Sequence, residues 1–537
     1  MAGINDDEES PLLGALSRGS PNESIAAESN LHRFIEDDVV PEASSLGRSL
    51  SWQSAYILAI SRVVGSGIFA TPGAIARSVG SPGLSLLIWI IGAVVAACGL
   101  AVALEYGCML PRSGGQKVYL EFTYRHPRFL ASTLVAINAV LLGSTASNCI
   151  VFSQYTLFAL GADNAGDLLR KGLAVGLLSA VTIVHAVTPK LGVRLQNLLG
   201  WIKIGIIIFM VLAGTYVVMF RPPTDAQAQS AASHLSWHRL WENSSWNWGA
   251  IATALFKATY SYGGLDNVSN VLNEVKDPVR TLRSVSVTAL VTSCALYFLV
   301  NVAYFLVVPI NEITESGELI AALFFQRVFG GQVGSRILPL AVALSAAGNV
   351  LVVVFAMARL KQEIARQGFL PFSDVLSSTR PFSSPLGGLL VNYFPSLLVI
   401  LLPPSSEVYS FILETEGYSG QIFGLAIGIG LLWLRFKRPD LKRPFKAWIP
   451  AVILKLALSL ALLAAPFYPP TEKPRGGLFY ATYAIVGVSI VVGSVVYWYV
   501  WSVLIPRLRG YRLEEETAVL DDGTSITKIV QKPTRDG

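Results

Sequence analysis

The sequence predicts an all-α polytopic membrane protein with twelve transmembrane helices, and three observations carry that prediction. Of the 537 residues, 53% are hydrophobic and only 14% charged, with a mean hydropathy of +0.53, whereas soluble proteins carry roughly 25% charged residues. Apolar runs recur that are long enough for a bilayer core of about 30 Å, which takes roughly 20 residues per helix. Two of these runs are interrupted by glycines at corresponding places, five spans apart, which is the mark of an inverted repeat. The composition argues against a soluble enzyme or a nucleic-acid binder. The net charge of +6 and pI of 9.0 come from basic residues scattered between apolar runs, not from a patch.

Residues 1–49 are polar and acidic with no apolar h-region, which predicts a disordered cytosolic tail and not a signal peptide. The twelve candidate spans follow at 52–78, 83–110, 129–160, 172–188, 196–220, 248–276, 284–308, 337–358, 386–402, 411–434, 448–468 and 478–505. The first five make one inverted repeat over 50–220, an extracellular loop covers 221–247, and spans six to ten make the second repeat over 248–435. Residues 436–506 hold the last two spans and a basic connection, and 507–537 form a charged, aperiodic C-terminal tail. An even number of spans puts both termini on one side. Placing them in the cytosol puts most of the 41 Lys and Arg residues inside, among them Arg435, Lys437, Arg438, Lys442, Arg443 and Lys446, as the positive-inside rule asks. The sequon Asn243-Ser244-Ser245 then falls outside. Cys98, Cys108, Cys149 and Cys294 lie within apolar runs with no metal-ligand or redox spacing and read as small buried hydrophobes. Nothing suggests a metal, a cofactor, a nucleotide-binding loop or a catalytic constellation, so the expectation is a non-enzyme that is not driven by ATP.

The first span contains Ser61-Arg62-Val63-Val64-Gly65-Ser66-Gly67-Ile68-Phe69, and the sixth contains Tyr260-Ser261-Tyr262-Gly263-Gly264. Each mid-membrane glycine weakens helix propensity by about 1 kcal/mol relative to Ala. Unwound backbone is tolerated at this depth only where it lines a cavity or is buried in protein. Free N–H groups at a half-helix start suit a carboxylate, and carbonyls at a half-helix end suit an ammonium group. Together the two breaks would hold an α-amino acid by both of its charged groups. The plainer alternative is that the glycines allow close helix packing.

Val64-Gly65-Ser66-Gly67-Ile68-Phe69 resembles the first-helix motif of amino acid–polyamine–organocation transporters. Glu105-Tyr106-Gly107-Cys108-Met109-Leu110-Pro111-Arg112-Ser113-Gly114-Gly115 resembles the loop after their second helix, and Tyr262-Gly263-Gly264 their sixth-helix break. The stretch from Leu434 to Lys446 is similar to the tenth-to-eleventh connection of L-type amino acid transporters, and Arg62 with the Tyr-rich stretch after the third-helix loop is most like fungal high-affinity methionine permeases. The resemblance covers roughly 50–505. It implies a leucine-transporter-like fold of five plus five helices with the first and sixth broken. It also implies substrate contacts at Val63, Gly65, Ser66, Gly67, Ile68, Tyr260, Ser261 and Gly263, with Tyr260 as the bulky gating residue. Ser147, Asn148, Asn267, Tyr418 and Gln421 would line the side-chain pocket. Asp266 and Leu265 depart from the amide and aromatic residues of animal members. The loop Gly161–Lys171 has no cysteine, so no disulfide-linked heavy chain is expected there.

Ionisable residues inside spans are functional candidates, because each costs several kcal/mol unless paired or hydrated. Lys203 stands in the otherwise apolar fifth span. In proton-coupled relatives a lysine at the matching position takes the place of a sodium ion, reaching carbonyls near Arg62 to Gly65 and the side chains of Ser345 and Asn349. It would act as a permanent cation or as a proton carrier, with snorkelling to the interface as the structural alternative. Arg62 and Asp266 are expected to pair as an inner gate, and Lys257 with Glu414 or Glu416 as an outer one. Glu105 reads as a loop anchor and His185 as a solvated structural residue at the inner end of the fourth span.

The resemblance thus implies secondary active import of a neutral, methionine-like L-amino acid by alternating access with proton symport. The alternatives are obligatory exchange and a nutrient receptor with little flux. The expected partners are the amino acid, protons and the lipid bilayer, with no nucleic acid. Lys528 and Lys532 are the tail acceptors if ubiquitin-ligase machinery removes the protein as it does related permeases. The plasma membrane is the expected location, with a vacuolar or other internal membrane left open.

Overall fold

The computed structural model describes residues 50–65, 67–143, 145–162, 165–220, 237–378, 384–402, 408–468, 479–519 and 525–533. The tail 1–49, Ser66 and most of the expected outside loop 221–247 therefore lie outside the described residues. The first to twelfth segments are the twelve predicted spans in chain order.

The described chain is mostly helical, and ten helices among the described residues are long and apolar enough to cross a bilayer. The expected sixth and ninth spans fall short of that length. The sixth is a 14-residue helix, Trp248–Ser261, that stops at its glycine break and continues as the 3-10 stretch Asn267–Glu274. The ninth, Leu386–Leu401, has 16 residues and carries Pro395.

Local chemistry sets the helix starts. Ser51 accepts from the Ser54 N–H, Ser81 from the Leu84 N–H just before Pro82, and Asn247 from the Gly249 N–H. Each side chain satisfies one donor that a helix N-terminus leaves orphaned. The eighth segment, Leu338–Arg366, is the central strut, packing against the third, fifth and ninth. The seventh, Pro278–Val307, packs against the second, the fifth and the start of the first.

Among the described residues three helices break. The first segment divides into Trp52–Val63 and Gly67–Val79, the sixth breaks after Ser261, and the third divides into Leu130–Leu142 and Ala146–Ala159. The third break, at Gly143 and Thr145, lies inside a span the sequence predicts to be continuous.

On the side of the basic connection, the loop after the second segment is stitched to the sixth. The Ser113 N–H donates to Asn273 Oδ1 and the Asn273 N–H to Ser113 Oγ, each at 3.0 Å. Leu50 bridges Val275, so the start of the first segment is tied to the same stretch. Glu105, fully buried, accepts from Arg435 Nε at 2.9 Å and from the Ala447 N–H at 2.8 Å, with Arg443 Nε 3.5 Å away. The carboxylate thereby anchors the basic connection to the second segment.

Two expectations are corrected. The chain is not all helical: Tyr511–Val519 (β1) and Ser525–Pro533 (β2) form an antiparallel hairpin in the C-terminal tail. The Ile529 N–H donates to the Gln367 carbonyl at the end of the eighth segment, and Ile529 packs with Phe369 and Trp501. His185 is buried, not solvated, with Nε2 3.1 Å from the Leu351 carbonyl oxygen.

Candidate functional site

The breaks in the first and sixth segments lie against each other. A Cβ added at Gly67 would meet Ser261 Oγ at 2.7 Å and the Ser261 Cα at 3.0 Å, so the two half-helices touch where only glycine fits. Thr71 Oγ1 spans the same contact, donating to the Gly67 carbonyl and lying 2.9 Å from Ser261 Oγ. Gly264 has φ +101°, a left-handed backbone that glycine adopts freely, and a Cβ there would strike the Arg62 side chain. The junction is buried: Val63, Val64 and Ile68 are each no more than 3% exposed.

Carbonyls around the first break are held by tyrosines from neighbouring helices. Tyr297 donates to Val63 O at 2.7 Å, Tyr304 to Ile68 O at 3.4 Å and Tyr155 to Phe69 O at 2.7 Å. Such partners let unwound backbone exist at membrane depth without water. At the sixth break the Gly263 N–H folds back onto the Tyr260 carbonyl at 2.9 Å.

Several expected site residues are brought together. Ser147 Oγ lies 2.8 Å from the Tyr260 hydroxyl, which joins the third segment to the last turn before the sixth break. Asn349 Nδ2 donates to Asn148 Oδ1 at 2.9 Å, and a Cβ on Gly65 would meet Asn349 Nδ2 at 2.6 Å. Lys203 is fully buried and donates to the Ser61 carbonyl and, at 3.5 Å, to Asn349 Oδ1. One thread thus runs from the first half-helix through Lys203 and Asn349 to Asn148. Lys257 pairs with Glu414 at 3.5 Å and donates to Ser78 at 3.3 Å, tying the sixth, tenth and first segments on the far side of the breaks.

Other expected residues stand elsewhere. Arg62 and Asp266 form no ion pair within 4 Å among the described residues. Arg62 instead lies over Gly264, within electrostatic reach of both Asp266 and Glu416. Ser345 is buried, but its Oγ finds no partner among the described residues, Lys203 included. Asn267 turns away to accept from Asn270 Nδ2 at 3.3 Å. Gln421 faces the eleventh segment, its Oε1 accepting from Lys455 and Ser459, whereas Tyr418 donates to Leu463 O at 3.2 Å and packs its ring against Phe256 of the sixth segment and Tyr483. Ser66 lies outside the described residues. Sequence reasoning missed Lys361, buried in the eighth segment, because the predicted span ended at 358 and left this residue to a loop.

The amino acid permease family model matches residues 50–491. The chain is 33% identical over 522 residues to the low-affinity methionine permease of Saccharomyces cerevisiae, covering 97% of this chain and 93% of that protein. It is 34% identical over 481 residues to the high-affinity methionine permease of the same yeast, covering 88% of this chain and 82% of that protein. It is 27% identical over 432 residues to the human b(0,+)-type amino acid transporter 1, covering 79% of this chain and 84% of that protein.

Proposed function

This chain belongs to the amino acid permease family, and from that premise we propose that it imports a neutral, methionine-like L-amino acid by alternating access, coupled to protons. The observation that carries this reading is the abutment of the two broken helices, Gly67 on Ser261 and Gly264 under Arg62. Half-helix N–H groups beginning at Gly67 suit an α-carboxylate. Carbonyls at the ends of the opposite half-helices, Val63 and Tyr260, suit the α-ammonium. Tyr260, bonded to Ser147, would cover the bound substrate and shift as the site opens. The methionine permeases of yeast, similar over most of the chain, favour a methionine-like side chain.

In this reading the architecture is five plus five helices with two added, both termini are cytosolic, and the membrane is the plasma membrane. The Lys257–Glu414 pair serves as an outer gate, and Arg62 closes the inner side by passing between Asp266 and Glu416. Lys203 fills the position between the first and eighth segments with an ammonium group. That favours proton over sodium coupling, because a cation already takes the Ser61 carbonyl and the Asn349 side-chain oxygen.

Labelled methionine uptake into liposomes containing the purified chain tests the proposal. Uptake into empty vesicles, faster with an inward proton gradient, supports symport. Uptake only into amino-acid-loaded vesicles would replace symport with exchange, and binding without flux would replace transport with reception.

A further inference from the structure

The third segment stops at Gly143 and restarts at Ala146, and its break is closed by a side chain from another helix. Lys361 of the eighth segment, 1% exposed, donates to the Gly143 carbonyl at 3.0 Å and to Asn392 Oδ1 of the ninth segment at 2.9 Å. Ser396, one turn beyond Asn392, accepts from the Thr145 N–H at 3.3 Å. No acidic side chain lies within 4 Å of the Lys361 ammonium among the described residues.

A broken helix leaves the carbonyls of its last turn without intrahelical donors, and in a bilayer no water replaces them. An ammonium group is a suitable substitute, since cations are stabilised at helix C-termini. A lysine is nevertheless expensive at this depth, and a helix without a break would need no such lysine. What the break sets is the first turn of the outer half, Ala146–Ala159. That turn carries Ser147, which holds Tyr260, and Asn148, which holds Asn349 and so the acceptor facing Lys203. Asn349 lies on the same helix as Lys361, about 18 Å away along its axis at 1.5 Å per residue. The eighth segment therefore holds the third at two points, one at the break and one beside Lys203.

We infer that Lys361 is a positioning residue for transport: it fixes the break of the third segment and, through it, the placement of Ser147 and Asn148 against Tyr260 and the Lys203 site. The inference rests on the transport reading above. It differs from helix–helix adhesion in one measurable respect. Adhesion alone would change how much folded protein there is, and not how each folded molecule handles substrate.

The test compares the wild-type full chain with Lys361→Met, reading methionine affinity by ligand-dependent thermal shift and uptake KM, kcat and pH profile in liposomes. Losing a charge-assisted hydrogen bond at the break should raise Kd and KM about fivefold or more, with kcat per molecule within about twofold. The pH profile of uptake should shift as Asn349 moves off Lys203. Wild-type affinity and an unchanged pH profile in Lys361→Met would overturn the inference. If Lys361→Met does not reach the membrane, Asn392→Leu is read instead. It keeps the lysine but removes one acceptor, and unchanged Kd and KM there would overturn the inference equally. Wild-type protein that binds methionine without transporting it would count against the transport reading alone, because the Kd comparison between variants is still made.

Discussion

Lys203 of the fifth segment and Asn349 of the eighth meet with Nζ 3.5 Å from Oδ1, and the same ammonium donates to the Ser61 carbonyl at the end of the first half-helix. A cation so placed links the first half-helix to a strut that also holds Asn148. Replacing Lys203 by Met keeps the volume and removes the charge. Uptake should fall about tenfold or more, since hydrogen bonds to charged groups contribute roughly 1.5–3 kcal/mol. The residual uptake should lose its response to a proton gradient. Flux at matched protein level in liposomes, with and without the gradient, checks this; an intact response would remove Lys203 from coupling.

The glycine contacts make a second prediction. Gly264→Ala places a side chain at φ +101° and into Arg62, at a cost of about 1–2 kcal/mol for the backbone alone. Its uptake should collapse. Gly172→Ala, at a helical position with nothing within 4 Å of the added Cβ, should leave uptake unchanged and stabilise the helix by about 0.5–1 kcal/mol. Thermal melting and flux on the two variants make the comparison.

The Lys257–Glu414 pair predicts a charge-swap rescue. Lys257→Glu sets two carboxylates facing each other where the pair now sits at 3.5 Å, and uptake should drop several-fold. Adding Glu414→Lys should restore a substantial part of it. A double variant no better than the single one would mean that the pair does not act as a unit.

Glu105 and Asp440 should behave oppositely although both meet arginine. Glu105 is fully buried among Arg435, Arg443 and the Ala447 N–H, and breaking such a pair costs about 3–5 kcal/mol. Glu105→Gln should therefore lower Tm and abundance while the surviving molecules transport normally. The hydrogen bond from Arg438 holds the Asp440 carboxyl below its ordinary value. A depressed carboxylate stabilises the fold above its unfolded pKa and loses that contribution as pH falls through its folded one. The Asp440 side chain is 59% exposed, so solvent screens the effect, and Asp440→Asn should shift Tm by no more than about a degree at any pH. Melting curves of both variants at neutral and acidic pH check the contrast.

Features that interrupt an apolar run were legible in the sequence. Gly65 and Gly67, and Gly263 and Gly264, stand out as paired glycines inside long apolar runs, and Lys203 as the lone charge in an otherwise apolar span. The third break was not legible, because Gly143 is a single glycine beside two hydroxyl residues, a combination that continuous membrane helices tolerate. Lys361 was hidden by its position, one turn past the last purely apolar stretch of its helix. The C-terminal hairpin was masked by charge, since Glu514 to Glu516 break the alternation that marks a strand. For Tyr418 and Gln421 the sequence points to a helix but not to a face of it. The tenth segment has neighbours on several sides, and its apolar pattern does not separate the break from the eleventh segment.

The central claim is that the abutting breaks carry an amino acid through the membrane together with a proton. It is tested most directly by following labelled methionine and an entrapped pH indicator in the same liposomes. The account predicts that methionine enters empty vesicles and that the lumen acidifies in step with it, both lost in Lys203→Met. Methionine entry with no change in lumenal pH, or no entry of any amino acid into empty or loaded vesicles, would contradict it.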